Sequence, residues 1–352
     1  MRTPTVDFVG KRRRWVVVSA VLIAVSAAAL VIRGLELSID FVGGTSYQLV
    51  DVRSDVTSRE LREAAEDAGV TDVVAQIQTE GDLAVGALVR TEALEPGSPE
   101  AQAVERALVE VAQPTEVTFE FVGPVWGERI TRQAVEALLV FLVVVFIYIS
   151  FRLEFKMAVA AIIALVHDVF ITIGLYALVG FTVSPATVIA LLTILGYSLY
   201  DTVVVFDRVK DNSISLGEPG RRTYAELVNG SMNEVLYRSL NTSITSLLPV
   251  GALLLIGAQL LGATTLQDLA LALFIGMAVG IYSSLFVAGP FLAWWKMRDP
   301  DQVRIAARIA KGEDPEAAAA PAPSRAAAPE ARAPITTEYV RGEGRKKKRR
   351  KR

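Results

Sequence analysis

Cysteine is absent from the 352 residues. That excludes disulfides and thiolate metal sites. Histidine occurs once, at His167, so a zinc centre would need mostly carboxylate ligands, a donor set zinc seldom uses. No metal or organic cofactor is expected. No G-x-x-x-x-G-K-[ST] loop occurs, so the phosphate cradle of an ATPase is missing. Strong net charge is missing too: 36 Lys and Arg face 38 Asp and Glu, a formal −2. Overall charge therefore selects no partner and suggests no specific nucleic acid; only its distribution is informative.

Apolar residues are what the chain has in excess, at 52% of the total with a mean hydropathy of +0.41. This suits a multi-span membrane protein with one soluble insert. Six segments approach the roughly 20 residues needed to cross the hydrocarbon core: Trp15–Ile32, Ala134–Phe151, Met157–Val179, Pro185–Phe206, Leu240–Leu261 and Leu266–Trp295. Lys11 to Arg14 precede the first, and Arg152 and Lys156 fill the turn after the second. Arg208, Lys210, Arg221, Arg222 and Arg238 crowd the fourth connection, and Lys296 and Arg298 follow the last span. The connections at 180–185 and 257–266 carry neither Lys nor Arg. The positive-inside rule then puts both termini in the cytoplasm, with Trp294 and Trp295 in an inner interfacial belt. A signal peptide is the alternative for the first span, with Ala27-Ala28-Ala29 as small residues at its end. An even span count and a cytoplasmic tail favour an uncleaved helix.

The expected fold class is thus a polytopic α-helical membrane protein with six transmembrane helices and an extracytoplasmic α+β insert. Its parts are a cytoplasmic N-terminus (1–14), the first span (15–33), the insert (34–131), the remaining five helices (132–298) and an Ala/Pro-rich tail (299–352). The insert reads as strand Tyr47–Val52, helix Ser58–Ala68, strands Val73–Thr79 and Leu83–Thr91, helix Pro99–Ala112 and strand Glu116–Phe121. Thr57 and Glu60 form a capping box, and Gly81-Asp82 a hairpin turn. The β-α-β-β-α-β order predicts a ferredoxin-like split βαβ with no catalytic constellation, a docking or substrate-contacting module. The tail, ending in the basic run Arg345 to Arg352, predicts disorder. Its basic end suits anionic lipid or ribosomal RNA, or no partner at all.

Chemistry concentrates inside the spans. Asp168 lies at the centre of the third, where a carboxylate costs about 2.5–3.5 kcal/mol on insertion scales and so usually serves ions, protons or a partner. His167 adjoins it as a lesser carrier or an orienting group. Asp201 lies late in the fourth span beside Tyr197, Ser198 and Tyr200. Arg208 is seven residues on, on the same helical face, and Asp207 precedes it at the inner mouth. Arg238, Asn241, Thr242, Thr245 and Ser246 open the fifth span as a polar stripe. Gly276 and Gly280 in the sixth form G-x-x-x-G, which permits close helix contact. Together they predict a polar seam within the bundle. The plainer readings are a structural Asp201–Arg208 pair and helix-packing hydroxyls.

Several segments resemble a known family. Gly34-Leu35-Glu36-Leu37-Ser38-Ile39-Asp40-Phe41-Val42-Gly43-Gly44-Thr45 is similar to the signature after the first span of the SecF family, within the SecD/SecF proteins of the bacterial Sec translocase. Val122-Gly123-Pro124-Val125-Trp126-Gly127-Glu128 resembles its motif before the second span. Ala164 to Val169, Gly196 to Arg208, Ser231 to Glu234 and Arg238 to Ser243 resemble its later motifs, in the expected order. The resemblance runs from about residue 10 to 298. It implies a fold similar to resistance-nodulation-division (RND) transporters and a place in the bacterial cytoplasmic membrane. It implies a SecD partner, work beside SecYEG, SecA and a YajC-like accessory subunit, and exported polypeptides as substrate. It implies coupling to the proton-motive force with protons as the coupling ion, and it matches Asp168 and Arg208 to charged positions used for proton passage. The tail departs from the family.

Three rivals stand beside this reading. An intramembrane aspartyl protease would pair Asp168 with Asp201. However, the Gly-x-Gly-Asp motif is absent, and Leu199 replaces the glycine that a rhomboid-like Gly196-Tyr197-Ser198 would need. A homo-oligomeric RND-type drug or lipid exporter is the second. The third is a passive scaffold whose charges serve assembly alone.

Overall fold

A computed structural model of the chain describes residues 6–80, 83–215, 222–257 and 264–311. In chain order, helix α1 (Arg12–Ile32) leads through β1 (Glu36–Leu37) and the one-turn α2 (Ile39–Val42) into a small domain. That domain comprises β2 (Gly44–Val50), α3 (Ser58–Asp67), β3 (Val74–Glu80), β4 (Leu83–Thr91), α4 (Pro99–Ala112) and β5 (Glu116–Val122). The bundle resumes with α5 (Pro124–Arg152), α6 (Phe155–Val179), the short β6 (Thr182–Val183), α7 (Pro185–Ser215) and α8 (Tyr224–Ala252). A π-helical turn, Leu253–Gly257, extends α8. Then α9 (Thr264–Ser283) passes through a second π-helical turn, Ser284–Ala288, into α10 (Gly289–Lys296), and α11 (Pro300–Lys311) follows. Among the described residues, six helices are long and apolar enough to cross a membrane: Arg12–Ile32, Val125–Arg152, Phe155–Val179, Pro185–Ile214, Tyr224–Ile256 and Leu266–Lys296. The protein is a multi-pass membrane protein.

Two spans start earlier than hydropathy alone suggests. α5 begins at Pro124, not Ala134, so the expected boundary at 131/132 falls inside a helix. Pro124 fits a first helical position, where its missing N–H is no loss. α8 begins at Tyr224, not Leu240, started by a capping box between Thr223 and Glu226. Its first four turns are too polar for a hydropathy window, yet Val228, Met232 and Val235 bury an apolar stripe at helical spacing.

In the small domain the sheet order is β3-β4-β2-β5, antiparallel throughout, with Tyr47 opposite Val89 on one side and Phe119 on the other. Thr57 and Glu60 cap α3 reciprocally as expected. Tyr47, Leu49, Ala87 and Val89 from the sheet meet Leu61 and Ala65 of α3 and Val104 and Leu108 of α4 in one core. The Tyr47 hydroxyl donates to the Ala101 carbonyl at 3.1 Å. Burial, then the nearby Glu105, pushes the phenol up to about 12. The Gly81-Asp82 turn lies outside the described residues.

This domain is tied to the bundle. β1 pairs in parallel with β6, Glu36 opposite Thr182 and Leu37 opposite Val183. Arg90 donates to the Leu37 carbonyl at 2.7 Å, Gln76 to Glu36 at 2.6 Å, and Arg33 to the Leu178 carbonyl at 2.6 Å. Burial lowers the Arg90 pKa, and Glu36 opposes that effect. Gly44 has φ +136°, and a Cβ there would lie 2.7 Å from the Thr91 carbonyl oxygen, so only glycine fits.

The tail differs from expectation at its start. Pro300–Lys311 is helical, not disordered, with Pro300 at the helix start, Asp301 in the first turn, and Arg308 and Lys311 in the last, each sign matching the helix dipole. The basic run Arg345–Arg352 lies outside the described residues.

Candidate functional site

α6 is the most enclosed span, and its small residues make it so. A Cβ on Gly174 would lie 2.1 Å from Ser26 Cβ, so α1 lies directly against α6. α9 meets α7 in the same way: a Cβ on Gly276 would lie 2.3 Å from Ile194 Cδ1, and one on Gly280 3.1 Å from Ser198 Cβ. The G-x-x-x-G spacing thus marks a real contact. At the meeting point of these helices sits Asp168, 1% exposed.

Each oxygen of Asp168 has its own neighbour. Ser198 Oγ on α7 donates to Oδ2 at 2.6 Å. His167 Nδ1 lies 3.3 Å from Oδ1. The other face of His167 leads away: Nε2 is 3.2 Å from Ser19 Oγ on α1, which is 3.0 Å from the Tyr282 hydroxyl. Tyr282 stacks over the imidazole and donates to the Trp15 carbonyl at 3.2 Å. His167 thus joins α6 to α1 and the sixth span as well as touching the acid.

A second line of hydroxyls runs from Ser198 along α7. Ser284 Oγ donates to the Ser198 carbonyl at 3.2 Å and accepts from Thr202 Oγ1 at 3.1 Å. Ser284 opens the π-helical turn of the sixth span, and such turns occur often at functional sites. One helical turn from Ser198, Asp201 accepts from Ser239 Oγ of α8 at 2.5 Å. Beside Asp201 and Ser198 lies a cavity of about 40 Å³, lined also by Tyr197, Tyr200, Met277 and Ile281 and by the α8 hydroxyls Thr242, Ser243 and Ser246. A cavity of that size accommodates a water where Asp201 and the hydroxyls offer it partners.

The charged residues beyond Asp201 pair differently from the sequence reading. Arg208 and Asp201 do share a face of α7, since both reach α8, but they do not pair with each other. Arg208 Nε lies 2.5 Å from Glu234 Oε2, and Asn212 also donates to Glu234. Seven residues separate Asp201 from Arg208 by about 10 Å along the axis, too far for direct contact. Asp207 turns the other way, to Arg152 at 3.4 Å. Asp168 and Asp201 are each engaged by a different serine.

The expected seam needs a correction. Arg238, Asn241 and Thr245 are exposed on the outer face of α8, not inside the bundle. Arg238 reaches the Tyr200 hydroxyl at 3.4 Å, while Thr242 and Thr245 donate to carbonyls one turn back on their own helix. The inward stripe is Ser239, Thr242, Ser243 and Ser246. Sequence reasoning missed Ser239, Glu234, Ser19 and Tyr282. It also missed Asp268, a half-buried acid early in α9 beside Ser184 and facing Asp40 and Tyr176. The depth test that selected Asp168 does not select Asp268, which lies only two residues into the sixth expected span.

Comparison with known proteins assigns the chain. Residues 103–298 match the model of the "Protein export membrane protein SecD/SecF, C-terminal" family, and residues 28–50 that of the "SecD/SecF GG Motif". The Streptomyces coelicolor protein translocase subunit SecF is 39% identical over 327 residues, which cover 89% of this chain and 85% of that protein. Its counterpart in Mycobacterium tuberculosis H37Rv is 41% identical over 312 residues, covering 84% and 68%. Among solved structures, Thermus thermophilus SecDF, described as a translocon-associated membrane protein, is 37% identical with a TM-score of 0.73. The match covers 84% of this chain and 39% of that one. With a family model over more than half its length and relatives matched across most of theirs, the chain belongs to the SecD/SecF family of protein export membrane proteins, on its SecF branch.

Proposed function

We propose that this chain, an accessory subunit of the Sec translocase, works with a SecD half and uses the proton-motive force to drive late steps of protein export. One observation carries the reading: a fully buried carboxylate, Asp168, held by a single short hydroxyl contact from Ser198, which itself lines a small cavity. A buried acid contacted by one hydroxyl and one imidazole, with no Lys or Arg paired to it among the described residues, is suited to exchange a proton. An acid serving assembly alone would be expected to carry a fixed counter-charge. Ser198 hands Asp168 to the cavity, and Asp201 and Ser239 stand at its other side. Arg208 with Glu234 forms the next charged station, and Asp207 with Arg152 flanks it.

The SecD pairing rests on a separate feature. Tyr200, Arg238, Asn241 and Thr245 present polar groups on the outer face of α7 and α8 within the spans. Polar groups facing lipid are costly, so this face fits another protein. The SecDF relative is more than twice as long as its match to this chain, and its remainder is the natural counterpart. The strand order supports a ferredoxin-like reading of the small domain. The clustered Lys and Arg support a cytoplasmic side for both termini in a bacterial inner membrane. SecYEG, SecA and a YajC-like subunit follow as the surrounding machinery. A homo-oligomeric exporter would cover the same face with a second copy, so co-purification with a SecD-like chain separates the two.

The test is export in inverted vesicles with and without an imposed pH gradient. Asp168→Asn keeps the volume and the Ser198 contact but cannot carry a proton. Loss of the gradient-dependent part of export, with the complex intact, is expected. Unchanged export would remove the coupling role.

A further inference from the structure

We infer that α11 is an in-plane membrane anchor that lies on anionic lipid headgroups at the end of the bundle carrying the α5–α6 turn. Its place is fixed by the residues before it. Asp299 pairs with Lys156 at the start of α6, and Lys296 with Glu154 in the turn between α5 and α6 at 2.5 Å. Asp299 also accepts the Val303 amide at 2.9 Å. Lys156 lies over the Trp295 ring, and Arg298 over that of Trp294, 3.7 Å from its centroid. These aromatic and basic side chains are the ones that settle at a membrane–water boundary. α11 therefore starts at that boundary, one residue beyond a doubly anchored turn.

The sequence of α11 then decides its direction. At 100° per residue, Asp301, Arg304, Arg308 and Lys311 fall within one narrow sector. Val303, Ala306, Ile309 and Ala310 occupy the opposite side together with Gln302, and Ile305 and Ala307 flank the charged sector. No residue of α11 is buried, and Val303 is 52% exposed. Val303, Ala307 and Ala310 are exposed, while Ile305, Ala306 and Ile309 are half-buried; an apolar side that the protein covers only in part at the membrane boundary, backed by three basic residues and one acidic one, has the composition of a helix lying in the interface. The basic run at 345–352 carries the same sign of charge, so both segments are drawn to an anionic leaflet.

The absence of cysteine makes the test clean. Full-length protein carrying Ala306→Cys or Lys311→Cys is reconstituted in nanodiscs, which expose both leaflets. One set contains phosphatidylcholine alone, the other added phosphatidylglycerol. The readout is the rate of labelling by a charged, membrane-impermeant maleimide. In anionic discs Cys at 306 is expected to label on the order of tenfold more slowly than Cys at 311. The gap should narrow in neutral discs and in the Arg304→Gln/Arg308→Gln background. Equal rates at the two positions in anionic discs would place the helix in water and overturn the inference. A gap indifferent to headgroup charge and to both arginines would place the face against protein and overturn it equally.

Discussion

Gly280→Ala tests whether the contact between Ser198 and Asp168 matters beyond packing. The added Cβ would sit 3.1 Å from Ser198 Cβ, 3.3 Å from its Oγ and 3.7 Å from Asp168 Oδ2. A Cβ is fixed to its backbone and cannot rotate away, so α7 and α9 must part by a few tenths of an ångström. Overpacking of this kind costs about 1–3 kcal/mol. The movement also strains the 2.6 Å bond between Ser198 and Asp168, and a hydrogen bond to a charged group contributes about 1.5–3 kcal/mol. Gly276→Ala is the control. Its added Cβ would meet chiefly the flexible end of Ile194, 2.3 Å away, on a layer that holds no acid. Both variants should unfold at lower temperature in detergent, followed by tryptophan fluorescence. Gly280→Ala alone should lose gradient-dependent export in vesicles. Wild-type coupling in a folded Gly280→Ala protein would refute the argument, and so would equal loss in both variants, since packing would then explain everything.

Two further predictions concern regions outside the site. Asn229 accepts the amides of Phe8 and Val9, and Asn233 exchanges two hydrogen bonds with Val6, so α8 clamps the segment before α1. Asn229→Ala with Asn233→Ala should raise hydrogen exchange at residues 6–9 by roughly 10- to 100-fold, the range for losing buried hydrogen bonds; unchanged protection would mean that Phe8 burial holds the segment alone. Tyr47 titrates near 10 when unfolded and about 12 when folded, so the native state keeps a proton that the unfolded chain loses. The small domain should therefore be fully stabilised by this group below pH 10 and lose that stability between pH 10 and 12. Tyr47→Phe should flatten the decline in that window, and an identical profile in both proteins would show that other groups cause it.

The sequence was most legible where one physical signal dominated. The Thr57–Glu60 capping box fixed the start of α3, and the structure ends the expected β4 and α4 at the same residues, with Ser98 capping α4. Apolar length located the spans. It failed at the ends of α5 and α8, where a helix outlasts the hydrocarbon and is stabilised by packing, not by hydropathy. Among site residues, Asp168 stood out because burial of a charge is costly wherever it occurs. The partners of Arg208 and Asp201 were not legible. Glu234 and Ser239 lie on another helix, and only the crossing of α7 and α8 decides which residues of that helix come within reach. The orientation of the α8 stripe failed for the same reason. Hydroxyls three or four apart mark a face, but nothing local says whether that face points inward.

The route from the buried acid to the small domain is short and carries the last prediction. Asp168 and Leu178 lie on one helix, about 15 Å apart at 1.5 Å per residue. The Leu178 carbonyl is held by Arg33, and Gly180 ends the helix. Thr182 and Val183 then pair with Glu36 and Leu37, whose carbonyl is held by Arg90 of β4. No flexible linker intervenes, so a shift of α6 is transmitted to the sheet through paired backbone. Arg90 is the side chain that fastens this strap to the domain, 8% exposed, with Glu36 at 3.4 Å. Arg90→Gln leaves the Leu37 carbonyl and Glu36 short of a partner, a loss of about 1–3 kcal/mol, and touches nothing in the membrane. Proton uptake by reconstituted protein should persist in this variant while gradient-dependent export falls. If export also persists with the domain folded, as checked by circular dichroism, the strap is a tether and the mechanical link runs elsewhere.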